Sequence, residues 1–202
     1  MEEKITQEDR NRIQTGIQGK YRKVAQSPAG LFKYPTGRAG LEALQYDLEI
    51  LKALPDSVVA SYCGVGNPFS LDSVNPGDTV LDIGCGAGVD TLIAALMAGP
   101  PGKAVGVDVV PEMLARAEEN RRLTGIENAA FQQASGEKLP FEDNSFDVLI
   151  SNGAINLIPD KAAVLKEAWR VLKPGGRLMI ADQMLAGAPP RDPAVRIDKW
   201  AQ

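Results

Sequence analysis

"LDIGCGAGVD", residues 81–90, sets an aspartate and three glycines at alternate positions: Asp82, Gly84, Gly86 and Gly88. It continues the short apolar run TVLDIG (79–84) and leads into TLIAALMAG (91–99). That order reads as a strand, a tight turn and a helix. Glycines let the backbone bend sharply and approach a ligand with no Cβ in the way. The plainer alternative is a loop kept bare for packing alone. In an open parallel sheet such a loop lies beyond the carboxyl end of its strand, where ligands bind.

The pattern repeats downstream. AVGVDV (104–109) is a second strand, and PEMLARAEENRRLTG (111–125) a helix with proline at its start and glycine just past its end. AAFQQA (129–134) and FDVLIS (146–151) are a third and a fourth strand. DKAAVLKEAWRVLK (160–173) is an amphipathic helix with Ala163, Val164 or Leu165, Ala168 and Val171 on its inner face. A PGG turn then leads into a fifth strand, RLMIAD (177–182). Strands alternating with helices give βαβ crossovers, hence an α/β fold with a mostly parallel sheet and helices on both faces.

Upstream the periodicity is helical. Ile13, Ile17, Tyr21 and Val24 define one helix, and Leu41, Leu44, Leu48, Leu51 and Leu54 a second that Pro55 ends. SPAGLFKYPTGRAG (27–40) connects them and carries Phe32 and Tyr34. We therefore expect a helical cap and connector over 1–74 and a Rossmann-like core over 75–202. Phe32, Tyr34 and Tyr62 are candidates to line a substrate pocket, while Tyr21 reads as helix-face packing.

Composition removes several function classes. The 202 residues hold 22 Lys and Arg against 26 Asp and Glu, so no global basic field invites nucleic acid. The start MEEKITQEDR is charged where a signal peptide would be apolar, and no apolar run approaches the ~20 residues of a membrane span. With only Cys63 and Cys85, no disulfide framework forms, and a cytoplasmic location is expected. The absence of histidine removes imidazole catalysis and the commonest metal ligand, and no metal is expected.

Two nucleotide readings compete for the glycine loop. A dinucleotide fingerprint is GxGxxG, whereas this loop is GxGxG with Asp82 two residues ahead of it. A carboxylate there opposes a pyrophosphate and favours a cation, which disfavours a nicotinamide-dependent oxidoreductase. S-adenosylmethionine carries both an ammonium and a sulfonium. Asp108, 20 residues beyond Gly88, ends the second strand and suits the two hydroxyls of a ribose. It could instead cap the helix that begins at Pro111. GEKLPFEDNSFDVLIS (136–151) adds Gly136 and Glu137 over the same strand ends.

Taken together, VLDIGCGAG, VGVDVVPEML, GEKLPFEDNSFDVLIS and LKEAWRVLKPGGRLMIAD resemble the Rossmann-like, class I S-adenosylmethionine-dependent methyltransferases. The likeness runs from Thr79 to Asp182, about half the chain. It is greatest toward the arsenite methyltransferases and the ubiquinone/menaquinone C-methyltransferases. SNGAINLIPDKAAVLKEAWRVLKPGG and GNPFSLDSVNPGDTVLDIG favour the arsenite side. The resemblance implies that Asp82 and the Gly84–Gly88 backbone, Cys85 included, face the methionine part of the cofactor. By the same likeness Asp108 takes the ribose, Val109 and Met113 border the adenine, Gly136 and Glu137 close over its edge, and Asn152 lies near the sulfonium.

The resemblance also marks departures. The arsenite branch implies cysteine thiolates for a soft metalloid. One belongs in SNGAINL, where this chain has Gly153, and Cys63 in SYCGVGNP answers to another with imperfect spacing. One thiol does not build a three-coordinate arsenic site. The expected activity is therefore methyl transfer to a small-molecule acceptor, with a non-catalytic cofactor-binding module and an arsenite methyltransferase fragment as alternatives. The family pattern also implies two strands after the fifth. QMLAGAPPRDPAVRIDKWAQ (183–202) offers turn residues and one short helix, so that pair is expected to be missing, and the exposed sheet edge would suit a homodimer.

Overall fold

The computed structural model describes residues 5–184, Gly187 and Trp200. Five parallel strands form one sheet: β1 (Thr79–Ile83), β2 (Lys103–Asp108), β3 (Ala129–Gln133), β4 (Phe146–Asn152) and β5 (Leu172–Ala181). Their order is β3-β2-β1-β4-β5, with β1 paired to β2 on one side and β4 on the other. The chain therefore reverses its winding between β1 and β4, and that switch point opens a crevice at the strand carboxyl ends. Expected and observed strands agree closely, apart from one element. KPGG does not turn the chain before β5 but lies within it, as an irregularity where the register moves from Phe146↔Leu172 to Val148↔Arg177.

Helices α1 (Gln7–Val24), α2 (Gly37–Ala43), α3 (Leu48–Lys52) and α4 (Asp56–Val59) precede the sheet. α5 (Val89–Ala98) and α6 (Pro111–Thr124) follow β1 and β2, and α7 (Lys161–Val171) follows β4. Strand alternation divides the core. Val80, Val148 and Met179 pack on one face with Leu92 of α5 and with Leu41, Leu51, Val58 and Tyr62 from the N-terminal segment. Leu81, Ile83, Val107 and Leu149 pack on the other with Val164, Ala168 and Val171 of α7. Leu165, an open alternative for that inner face, is exposed.

The second expected helix is broken. Gln45 adopts a left-handed φ of 59° between α2 and α3, and the Asp47 side chain accepts from Glu49 N to start α3 afresh. The break turns Tyr46 inward to 5% exposure. Tertiary contacts made by that ring outweigh the leucine periodicity. At the ends of α6 the sequence reading holds, with Pro111 in its first turn and Gly125 in the left-handed conformation at its close. Among the described residues no helix is long and apolar enough to cross a membrane. The tail expected to lack two strands, residues 185–186, 188–199 and 201–202, lies outside the described residues.

Candidate functional site

A cavity of about 390 Å³ sits at the switch point, floored by the glycine loop and the tip of β2 and roofed by α1. The loop is held from below: Gly84 N and Cys85 N both donate to Val107 O, at 2.8 and 3.0 Å. Gly88 has φ +81°, and a Cβ there would stand 2.5 Å from the Phe131 ring and 3.0 Å from Ala117. A Cβ on Gly84, at φ +75°, would overlap Ala154. Close packing and backbone handedness thus demand glycine here independently of any ligand, and both operate together with the open upper surface.

Three carboxylates mark the floor. Asp82 is 2% exposed and accepts a 2.6 Å bond from Thr91 Oγ1. Burial, followed by the neighbouring Asp90, pushes it well above the usual carboxylate range. Asp108 accepts from Gly86 N and Val110 N, both at 2.9 Å. Burial raises it against those two bonds. Its contact to Val110 leaves α6 without a side-chain cap, so capping is not its role here.

Asp90 completes the set, and sequence reasoning missed it. It lies in the first turn of α5, 8% exposed, where the positive end of the helix dipole faces it. Tyr46 OH donates to its Oδ1 at 2.8 Å and Asn152 Nδ2 to its Oδ2 at 2.9 Å. Burial raises it to about 6, those two donors opposing the rise. The signal was present in LDIGCGAGVD, whose last letter is this acid, but its partners stand 44 and 62 positions away. Among the described residues lining the cavity, Arg10 carries the one positive charge, and it is bound to Glu137 at 3.0 Å. The floor is therefore a desolvated cluster of carboxyl groups, whose ionised form a cationic ligand would favour.

Asp82, Gly84, Cys85, Gly86, Asp108, Val109, Gly136, Glu137, Asn152 and Tyr62 all line this cavity. Gly88 closes the loop behind them as the N-cap of α5. Three candidates stand elsewhere. Met113 is fully buried behind Gly86. Phe32 stacks between Tyr21 and Tyr34, with ring centroids at 6.5 and 5.1 Å. Tyr34 donates to Cys63 O at 3.0 Å rather than facing the cavity. The connector's aromatics thus buttress the wall from outside, and Tyr21, expected only to pack, lines it together with Ile13 and Ile17.

Asn152 and Glu137 are engaged within the protein. Asn152 Oδ1 accepts from Val65 N and Gly66 N, while Nδ2 donates to Gly66 O and Asp90. Glu137 Oε1 accepts from Arg10 and from Asp160 N. Cys63 also lines the cavity. Burial, then Asp108 and Asp90, pushes its thiol up to about 12, with Lys20 opposing.

Comparison with known proteins bears on this geometry. Residues 74–196 match a family model described as a methyltransferase domain. An arsenite methyltransferase of Halobacterium salinarum is 40% identical over 157 residues, 78% of this chain and 40% of its own length. A demethylmenaquinone methyltransferase of Bacillus cytotoxicus is 37% identical over 106 residues, 52% of this chain and 45% of its own length. The chain thus spans less than half the length of these curated relatives. Among solved structures, the arsenic(III) S-adenosylmethionine methyltransferase of Chlamydomonas reinhardtii superposes with a TM-score of 0.60 at 37% identity. That superposition covers 81% of this chain and 54% of the other.

Proposed function

This chain belongs to the methyltransferase-domain family, and from that premise we propose that it transfers the methyl group of S-adenosylmethionine to a small-molecule acceptor. The observation that carries the reading is the cavity floor. Asp82, Asp90 and Asp108 are desolvated there beside a glycine loop, with no free cation among the described lining residues. The glycine loop and Asp82 would hold the methionine portion, with Asp90 as a second counter-charge. Asp108, already turned toward Gly86 N, would receive the ribose hydroxyls, and Gly136 and Val109 would border the base.

When bound, the cofactor supplies an electrophilic methyl group on a positively charged sulfur. The residues of the chain have correspondingly little proton chemistry to perform. They align the acceptor, neutralise charge and exclude water, which is where most of the rate gain of such a transfer lies. The roof formed by Ile13, Ile17 and Tyr21 is suited to the last of these tasks. No dedicated catalytic side chain is assigned.

Arsenite as acceptor is a second reading, favoured by the arsenic methyltransferases among the relatives. Against it stands the cavity wall, where Cys63 is held as a protonated thiol and Gly153 occupies the expected cysteine position. An uncharged, partly apolar acceptor agrees better with Ile13, Tyr21 and Leu157 around the upper cavity.

Calorimetry with S-adenosylhomocysteine, S-adenosylmethionine and NADH tests the reading. Saturable binding of the first two and none of the third is expected, followed by S-adenosylhomocysteine release on addition of a quinol, phenol or arsenite acceptor. NADH binding without the other two would overturn it. Binding with no turnover on any acceptor would reduce the chain to a cofactor-binding module.

A further inference from the structure

The cap and the core meet in a buried hydrogen-bond cluster that the proposed reaction does not itself require. Tyr46 comes from the turn that interrupts the leucine repeat, is 5% exposed, and does not line the cavity. Its hydroxyl donates to Asp90 Oδ1 at 2.8 Å and lies 3.1 Å from Gly66 O. Tyr62 OH donates to Gly66 O at 2.9 Å and stands 3.2 Å from Tyr46 OH. Asn152 joins both sides, giving one N–H to Gly66 O at 2.8 Å and the other to Asp90 Oδ2 at 2.9 Å. Two side chains distant in sequence, Tyr46 and Asn152, therefore converge on one carboxylate that lines the cavity, and Tyr62 and Gly66 O tie the pair together.

Resting on the cofactor reading above, we propose that Tyr46 is a positioning residue: its hydroxyl keeps the Asp90 carboxylate ionised and aimed into the cavity, and so sets the pH range over which a cationic ligand is held. Two donors on two oxygens satisfy an anion better than a protonated acid, one of whose oxygens would have to donate in turn. Without Tyr46 the anion keeps Asn152 and the helix end but loses the bond on its other oxygen. The titratable groups around Asp90 are Asp82 on β1, Tyr46 and Tyr62 from the cap, and Cys63 on the connector. Asp108 lies further along the same floor. All of these are acids, so none of them supports the anion by charge, and hydrogen bonds must do so. Burial leaves Asp90 poised at about 6, close enough to neutrality for one lost bond to matter.

Two readouts on the full chain test this. The Asp90 carboxyl is titrated by carbon-detected NMR without ligand, assigned through Asp90→Asn, in the wild type and in Tyr46→Phe. A midpoint near 6 is expected for the wild type, and one about a unit higher in the variant, a roughly tenfold change in the ionisation equilibrium. Affinity for S-adenosylmethionine and S-adenosylhomocysteine is then followed from pH 5.5 to 8. Its acid inflection should move upward with the carboxyl, and the effect of Tyr46→Phe should vanish in the Asp90→Asn background. A variant that melts earlier but leaves both midpoints in place would overturn the proposal by making Tyr46 merely structural.

Should Tyr46→Phe fail to fold, 3-fluorotyrosine incorporation replaces it. The more acidic phenol is a stronger donor and should lower the Asp90 midpoint; no movement would overturn the proposal. A wild type that binds neither cofactor form refutes the methyltransferase reading, while the ligand-free titration still decides the role of Tyr46.

Discussion

Arg10 on α1 and Glu137 beyond β3 meet at 3.0 Å across 127 positions of sequence. A second guanidinium nitrogen lies 3.8 Å from Asp160. Near the other end of the same helix, Arg22 Nε stands 2.7 Å from Glu112. The roof of the cavity is thus tied down at two points by solvent-accessible ion pairs, each worth at most about 1 kcal/mol.

Removing one tie should loosen the roof and spare the sheet. For Arg10→Ala we expect amide exchange across 7–24 to accelerate several-fold while that of β1 and β4 stays unchanged. Global stability should fall by less than about 1 kcal/mol. Added salt should speed the same exchange in the wild type. Exchange of α1 that is indifferent to both would show the roof to be held by Ile13 and Val24 instead.

Gly88→Ala carries two penalties. The left-handed φ of +81° opposes a side chain, and the new methyl would meet Phe131 and Ala117. Together these should cost about 3 kcal/mol in denaturant unfolding. A loss below about 1 kcal/mol would mean that β3 and α6 yield readily to the added methyl and that the left-handed backbone costs little there.

That glycine shows where the sequence was legible and where it was not. Local patterning gives strands β1, β2 and β4 and helix α5 as short apolar runs buried nearly throughout, β3 from the same alternation with its neighbours, and helices α6 and α7 from one buried stripe each. Asp82, Asp108 and the glycine loop could be read for the same reason, since strand ends and turns are local features. Tyr46 and Asp90 could not. Leu41, Leu44, Leu48 and Leu51 keep helical spacing through the break at Gln45, and only a partner 44 positions on gives Tyr46 a reason to turn inward. The places of Phe32 and Tyr34 were likewise set by neighbours outside the connector, Tyr21 packing against the Phe32 ring and Cys63 O accepting from Tyr34.

Asp90 should make stability depend on pH in a defined direction. Its folded value, about 6, stands above the ordinary 3.8. The folded state therefore binds the extra proton between those values, and the stability this confers is complete below pH 4 and lost as pH rises through 6. Relative to the wild type, Asp90→Asn should gain up to roughly 3 kcal/mol between pH 4 and pH 7.5. Asp82 is raised partly by the Asp90 charge, so its own rise shrinks in Asp90→Asn and moves the difference in the same direction. A stability difference that stays flat over this range, measured by urea unfolding, would place the Asp90 titration outside it.

Asp108→Ala should weaken S-adenosylhomocysteine binding by more than about tenfold, from the loss of charge-assisted bonds to a ribose. Asp108 also holds Gly86 N and Val110 N, so a shift in loop structure could mimic that effect. Adenine alone, which has no ribose, separates the two: its weaker binding should be unchanged in the variant if the loop is intact. Affinity for S-adenosylhomocysteine within a factor of two of the wild type would remove the ribose from this residue.

Cys63 offers a chemical test of the acceptor. A thiol held at about 12 by burial and by Asp108 and Asp90 is almost wholly protonated at pH 8, and the thiolate is the form that attacks alkylating agents and binds soft metalloids. Iodoacetamide should therefore label Cys63 in the folded protein roughly a thousandfold more slowly than in urea, as read by mass spectrometry. Cys85, buried and raised in the same way, should behave alike. Cys63→Ser should then leave retention of a trivalent arsenical at the wild-type level. Rapid labelling, or arsenical binding lost with the thiol, would show that the acids around Cys63 do not hold it protonated and would move arsenite ahead of an apolar acceptor.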